Sequence, residues 1–254
     1  MSKSPKHLSS VHNAMRILKQ FTHDQPELGI SELSHKLGLA KSTIFRLIRT
    51  LAENQFIEQN AKNQKYRLGI AAFELGFAIY HEMQLRTVSW PLIDKLMRTT
   101  RRTAHLAVYD HGGVIYLCKR SPDEEDDTVS KIGKRVPAHC AATGKVLLAS
   151  QHETELERVI SLGLTALTRK TITDPGELRK QLEAVRQKKY AVCLEEMKDG
   201  ICTAAVPVYD DQGEVIAAIS VAGTPAQFRP TQIQAYVQEM RVYSRLITER
   251  MDFE

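Results

Sequence analysis

The 254-residue chain has no apolar run near the roughly 18 residues that span a bilayer, and its start, MSKSPKHLSS, carries no apolar stretch of the kind that directs secretion. Both absences lead us to expect a cytoplasmic protein with no membrane partner. Cysteine is scarce: Cys118, Cys140, Cys193 and Cys202 are the only four, widely spaced and without a Cys-x-x-Cys pair, which argues against a disulfide framework in a chain of this size. Three of them could converge with His139 on zinc, but structural zinc favours close ligand pairs, and none is present. Neither a metal nor another cofactor is expected. No Gly-x-Ser-x-Gly elbow and no Gly-x-Gly-x-x-Gly fingerprint occurs. Gly144-Lys145 resembles the end of a phosphate loop, yet His139 stands where that loop needs glycine and Val146 where it needs Ser or Thr. A Cys140–His139 nucleophile pair is disfavoured as well, because adjacent side chains rarely face each other and no orienting acid is identifiable. The chain is therefore not expected to be an enzyme.

What is there is an ordinary globular composition, 43% hydrophobic and 26% charged, too apolar for wholesale disorder. The length suits two domains of roughly 100 to 200 residues each. The net charge of +5 is localised, since residues 1–83 carry eleven Lys and Arg against seven Asp and Glu. A basic N-terminal third is a candidate for binding a polyanion.

Helical spacing runs from Val11 to Phe21 and stops at His23, Asp24, Gln25 and Pro26. Ser31 then precedes a short helix to Leu37, with Gly38 as its left-handed cap. Lys41 to Leu51 places Ile44, Leu47, Ile48 and Leu51 on one face and Lys41, Ser42, Thr43, Arg46 and Arg49 on the other. Two short helices around a glycine-containing turn make a helix-turn-helix. Gln55–Gln59 and Lys65–Leu68, joined by the polar turn 60–64, read as a wing. From Ile70 to about Leu85 an apolar segment predicts a helix that must bury itself, and we expect it to serve as a dimer contact. Beyond Trp90, helices alternate with strands. Strands are expected at Ala104–Tyr109, Val114–Cys118, Thr128–Ile132, Tyr190–Leu194, Cys202–Tyr209 and Val215–Ala222. Helices are expected through Leu92–Met97, at Thr143–Ser150 and Glu153–Ser161, after Asp174, and through Ile233–Ile247. The expected class is α+β, with an antiparallel sheet in a mixed α/β C-terminal domain.

The second helix of a helix-turn-helix lies in the major groove, so Ser42, Thr43 and Arg46 suit base edges. Lys41 and Arg49 suit phosphates, and Lys62, Lys65 and Arg67 on the wing could follow the backbone. The plainer alternative, a helical domain whose charges are merely solvated, is weakened by the wing and by the charge asymmetry. Further on, Pro137-Ala-His-Cys-Ala-Ala-Thr-Gly144 places small residues ahead of a helix start, where backbone N–H groups could face an anion. A close-packed start that needs small side chains explains the same residues equally well. Asp123 to Asp127 reads as a solvated loop.

The residues resemble the IclR-type family of bacterial transcriptional regulators from about residue 8 to 250. The resemblance rests on Ser31-Glu-Leu-Ser, Leu37-Gly-Leu-Ala-Lys-Ser-Thr43, Arg46-Leu and Tyr66-Arg-Leu-Gly69. It continues in Pro137-Ala-His, Thr143-Gly-Lys-Val-Leu-Leu-Ala149, Glu195-Glu196, Ala205-Val-Pro-Val208 and Ala218-Ile-Ser-Val-Ala-Gly223. It implies a winged helix-turn-helix over 1–69, a helical linker over 70–89 and an effector domain over 90–254. The implied partners are double-stranded operator DNA, a small-molecule effector and further copies of the chain, as a homodimer or dimer of dimers. Effector contacts implied by position are Ala142, Thr143, Gly144, Cys193, Thr203, Ser220 and Ala222. Cys193 stands where the family often has Asp, Ala222 where it often has Ser, and Cys202 lies one place before the usual cysteine. We therefore expect an organic acid larger than a two- or three-carbon keto acid as effector. An enzyme that uses the helix-turn-helix for targeting, and a DNA-binding protein without an effector, are the rival readings.

Overall fold

The computed structural model describes residues 8–22, 24–123 and 131–251. The chain forms two compact units, Met1–Glu82 and Met83–Glu254. Among the described residues no helix is long and apolar enough to cross a membrane.

The first unit packs α1 (Ser9–Leu18), α2 (Ile30–Leu37) and α3 (Lys41–Glu53) around Ile17, Leu28, Leu33, Ile44 and Ile48. Phe21 stays in this core although α1 ends three residues earlier. α2 begins sooner than the Ser31 cap suggested. Glu32, at its third position, accepts a hydrogen bond from the Gly29 N–H at 2.6 Å, and this fixes the cap at Gly29, so that the helix starts at Ile30. Gly38 closes α2 at φ 66°, a conformation that favours glycine. The wing is the antiparallel pair β1 (Ile57–Gln59) and β2 (Tyr66–Leu68). Asn60 and Asn63 at its turn both donate to Glu27, at 2.8 and 2.6 Å, and these bonds hold the Glu27 carboxyl below the usual carboxylate range. α4 (Ile70–Glu82) is apolar on every side, with Phe73 and Phe77 rings 5.6 Å apart.

In the second unit, α5 (Gln84–Thr100) starts well before the expected Leu92–Met97 stretch and carries Pro91 within it. The strands are β3 (Thr103–Asp110), β4 (Gly113–Arg120), β5 (Arg135–Pro137), β6 (Ala191–Leu194), β7 (Cys202–Tyr209) and β8 (Val215–Gly223). They form one six-stranded antiparallel sheet in the order β5-β4-β3-β8-β7-β6. Of the strand expected at Thr128–Ile132, residues 128–130 lie outside the described residues and Ile132 is in a turn. The edge strand is formed by Arg135–Pro137. Strand alternation builds two cores. One face, with Ala107, Val114, Tyr116, Cys193, Ala205 and Ala218, is covered by α6 (Ala142–Ala149), α7 (Glu153–Ser161) and α8 (Pro175–Lys188). The other, with Leu106, Cys118, Cys202, Val206, Ile219 and Val221, packs on α5 and α9 (Pro230–Met251). All eight residues of α6 are buried.

Candidate functional site

The interior stripe of α3 consists of Ile44, Ile48 and Leu51, all buried, which turns the opposite side outward. Lys41, Ser42, Thr43, Arg46 and Arg49 are all exposed there. No acid occupies the first turn, so the positive end of the helix dipole adds to the Lys41 charge. Arg49 pairs with Glu53 one turn on at 3.0 Å, a solvated contact of little energetic weight. On the wing, Lys65 pairs with Glu32 at 3.0 Å and Arg67 with Glu58, whereas Lys62 sits exposed at the turn. Thr43, Arg46 and Arg49 also line a concavity of about 540 Å³ with Ser9, Ser10 and Asn13 of α1. One residue of this face escaped the sequence reading: Phe45 is 51% exposed beside Arg46. Its signal was an aromatic outside the apolar stripe of an otherwise regular amphipathic helix.

The second unit holds a small cavity between the sheet and the start of α6. His105, Tyr116, Thr143, Met197, Ile201, Thr203, Ser220 and Ala222 line it. The register explains the convergence, since His105 pairs with Ser220 and Thr203 with Ala222 across adjacent strands, which puts all four on one face. A bulge opposite Leu106/Ala107 sets Ala107 against Tyr116 and Leu106 against Cys118. That irregularity turns Tyr116 inward, its ring 5.1 Å from the His105 imidazole. Of the expected effector residues, Thr143, Thr203, Ser220 and Ala222 are on the wall, while Ala142, Gly144 and Cys193 are not among its lining residues. Gly144 has a packing role, for a Cβ there would lie 2.2 Å from the Ala138 carbonyl oxygen. His105, Tyr116, Met197 and Ile201 were not anticipated, because which strand face meets a helix is decided by packing at long range.

Two features suit the cavity to an oxygen-rich ligand. The first helical bond of α6 is Lys145 N–H to Ala141 O, 2.8 Å, so the N–H groups of Ala142, Thr143 and Gly144 precede the ladder and face the helix start. Thr143 Oγ1 is buried without a hydrogen-bond partner, an arrangement that costs stability unless something completes it. Tyr116 lies beside it, and burial pushes the Tyr116 phenol up to about 12. The free volume at the centre is about 10 Å³, room for about one water molecule.

Met197 and Ile201 belong to the segment 195–201 after β6, which is tied down on several sides. Lys145, 1% exposed, donates to Glu196 Oε1 and Oε2 at 2.6 and 2.7 Å and to Gln181 Oε1 at 2.6 Å, using all three of its hydrogens. Thr171 Oγ1 donates to the Glu196 carbonyl at 2.6 Å and Thr168 Oγ1 to that of Glu195 at 2.8 Å. Lys170 pairs with the Glu195 carboxylate. The four cysteines are buried. Burial pushes the Cys140 thiol up to about 12 and Cys193 well above its usual range, so both are protonated at neutral pH. Cys193 and Cys202 lie on opposite faces of the sheet, which separates two of the thiols that a shared zinc site would need. His139 Nε2 is 3.0 Å from the Thr165 carbonyl, and burial lowers its pKa.

Residues 10–61 match the IclR helix-turn-helix domain, and residues 77–249 match the family described as bacterial transcriptional regulator IclR C-terminal. Along the full 254 residues the chain is 31% identical to the HTH-type transcriptional regulator KdgR of Escherichia coli K12, covering 96% of that protein. It is 32% identical to the HTH-type transcriptional regulator XynR of the same organism over 235 residues, 92% of this chain and 93% of that one. Among solved structures, an IclR regulator from Alicyclobacillus acidocaldarius superposes with a TM-score of 0.83 at 27% identity, over 96% of this chain and 99% of that one. An IclR homologue from Microbacterium hydrocarbonoxydans complexed with 4-hydroxybenzoate gives 0.82 at 25% identity, over 96% of this chain and all of that one.

Proposed function

The chain belongs to the IclR family of bacterial transcriptional regulators and is a DNA-binding regulator rather than an enzyme, and from that premise we propose how it reads its operator and what it senses. The observation that carries the reading is the outward face of α3, where cations, hydroxyls and one aromatic ring are left over from core packing. Ser42, Thr43 and Arg46 meet base edges in the major groove, while Lys41, Arg49 and Lys62 meet phosphates. Lys65 and Arg67 are held by carboxylates in the free protein and exchange those partners for phosphates on binding. Phe45 packs against a thymine methyl group.

The effector is an organic acid. Its carboxylate sits at the start of α6 near Thr143, and its other polar groups meet His105, Tyr116, Thr203 and Ser220. The homologue with 4-hydroxybenzoate offers a precedent for an acid of this kind. Because Cys193 is off the cavity wall, its departure from the family's Asp does not make this cavity less polar. A volume near that of one water also means that the segment 195–201 moves outward to admit the acid. The working form is a homodimer in the cytoplasm, where the operator is. Support for the dimer comes from α4, on which Ile70, Phe73, Leu75, Phe77 and Ile79 are each 49 to 62% exposed. Helices apolar on all sides are normally covered, and a second copy is the simplest cover.

Selection of binding sites from random duplex DNA by the full-length protein tests this reading. A two-fold repeated site should emerge, and failure to enrich any sequence would end the regulator assignment. Rebuilding that site with deoxyuridine in place of thymidine should weaken the wild type, while Phe45→Ala should not distinguish the two duplexes. A panel of carboxylic acids screened by thermal shift should then reveal the effector, since a ligand at about 100 times its Kd stabilises by about 2.7 kcal/mol.

A further inference from the structure

Beyond Ala191, the first residue of β6, β7 continues without a strand on that side: β6 pairs with Cys202 to Ala205, leaving Val206 to Tyr209 paired only with β8. Pro207, which cannot donate a backbone hydrogen bond, fits such a free edge. Two hydroxyls of α9 cover the exposed carbonyls, Ser244 Oγ donating to Pro207 O at 2.6 Å and Thr248 Oγ1 to Tyr209 O at 2.7 Å. The edge is thus closed to strand addition, and what is left beside it is a groove of about 400 Å³ bounded by Lys189, Val206, Pro207, Tyr209, Arg241, Ser244, Arg245 and Thr248. Its size falls in the range of small-molecule pockets, roughly 300 to 1,000 Å³.

The charged residues that line this groove are all cations, with Asp210 and Glu249 next in sequence to its lining residues. Lys189, Arg241 and Arg245 are exposed and none is in an ion pair among the described residues. Elsewhere in this unit Arg98, Arg135, Arg158, Arg179 and Arg186 each have a carboxylate partner. Arg241 and Arg245 are moreover one turn apart on α9, where like charges repel. Arg241 gives one N–H to the Lys188 carbonyl at the end of α8, 2.9 Å, and keeps its other donors. The floor of Val206, Pro207 and the half-buried Tyr209 ring is apolar, so the groove combines a platform for an organic body with three cations at its rim.

We propose that this groove is a second small-molecule site, separate from the Thr143 cavity, which takes an organic polyanion such as a polycarboxylate or an organic phosphate. Occupancy neutralises the α9 repulsion and bridges the end of α8 to α9. The inference does not depend on the identity of the effector.

The test uses full-length protein and isothermal titration with citrate and with fructose 1,6-bisphosphate at constant ionic strength. Because Arg241 also caps α8, the variant is Lys189→Gln with Arg245→Gln, which leaves that bond in place. At least one probe should bind the wild type saturably, and the double variant should bind it about tenfold or more weakly. Thr143→Trp, which fills the other cavity, should bind it as the wild type does. Saturable binding of neither probe, equal affinity in the double variant, or loss in Thr143→Trp instead would each overturn the proposal. So would a double variant that sediments differently yet keeps its affinity, since the groove would then be an interface between copies. Preference between the two probes separates the carboxylate from the phosphate source.

Discussion

Arg46 and Lys41 lie on one exposed face of α3 and differ in what they can read. Arg46→Ala should lose roughly 1 to 3 kcal/mol on the selected operator and much less on random DNA, as expected for a bidentate base contact. Lys41→Ala should weaken both alike and flatten the salt dependence by about one phosphate's worth. Equal losses for Arg46→Ala on both duplexes, measured by fluorescence anisotropy at fixed salt, would exclude it from base readout. A different residue-scale outcome is expected at Lys145. Its replacement by Met leaves the Glu196 carboxylate buried without its cation, which should cost about 3 to 5 kcal/mol in urea unfolding. Replacing Glu196 by Leu in the same protein should recover much of that loss, because an apolar pair of similar volume is often as stable as a buried ion pair. If the double variant is no better than Lys145→Met alone, the pair is not the fastening of the 195–201 segment described above. The members of this pair are 51 residues apart, and although both fall in segments that carry the family resemblance, nothing in the sequence marks them as partners.

Elements were legible where a single periodicity governs them. α3 follows its apolar spacing to within two residues, and the hairpin β3–β4 was visible in its Gly-Gly turn. α2 starts earlier than Ser31 suggests because the bond from the Gly29 N–H to the Glu32 carboxylate outweighs the Ser31 hydroxyl. The cavity was half legible: the family resemblance implied Thr143, Thr203, Ser220 and Ala222, but the bulge that brings in Tyr116 breaks strand alternation and has no local signature. α4 is legible in a different way, since its excess of exposed apolar surface states a need without naming the partner. Phe73→Glu should reduce that need. Sedimentation at micromolar concentration should show a shift from dimer toward monomer, with two-site operator affinity falling and the melting temperature of the second unit unchanged. A dimer that persists would place the interface on another element.

At the scale of the whole molecule, charge and chemistry are divided between the two units. The first carries most of the positive excess and the second encloses the cavity. Residues 83–254 have two cores of their own on a continuous sheet, so this fragment should fold alone and keep the thermal shift with the effector acid. Residues 1–82 should retain weak, strongly salt-dependent DNA binding. A fragment 83–254 that unfolds in isolation, judged by circular dichroism, would mean that the units depend on each other for stability. The four buried thiols also make the native protein a blank background for maleimide chemistry. Ala61→Cys, at the exposed turn of the wing, can therefore carry a fluorophore by itself, and the labelled protein can report its own docking on DNA and its release without any internal cysteine being replaced.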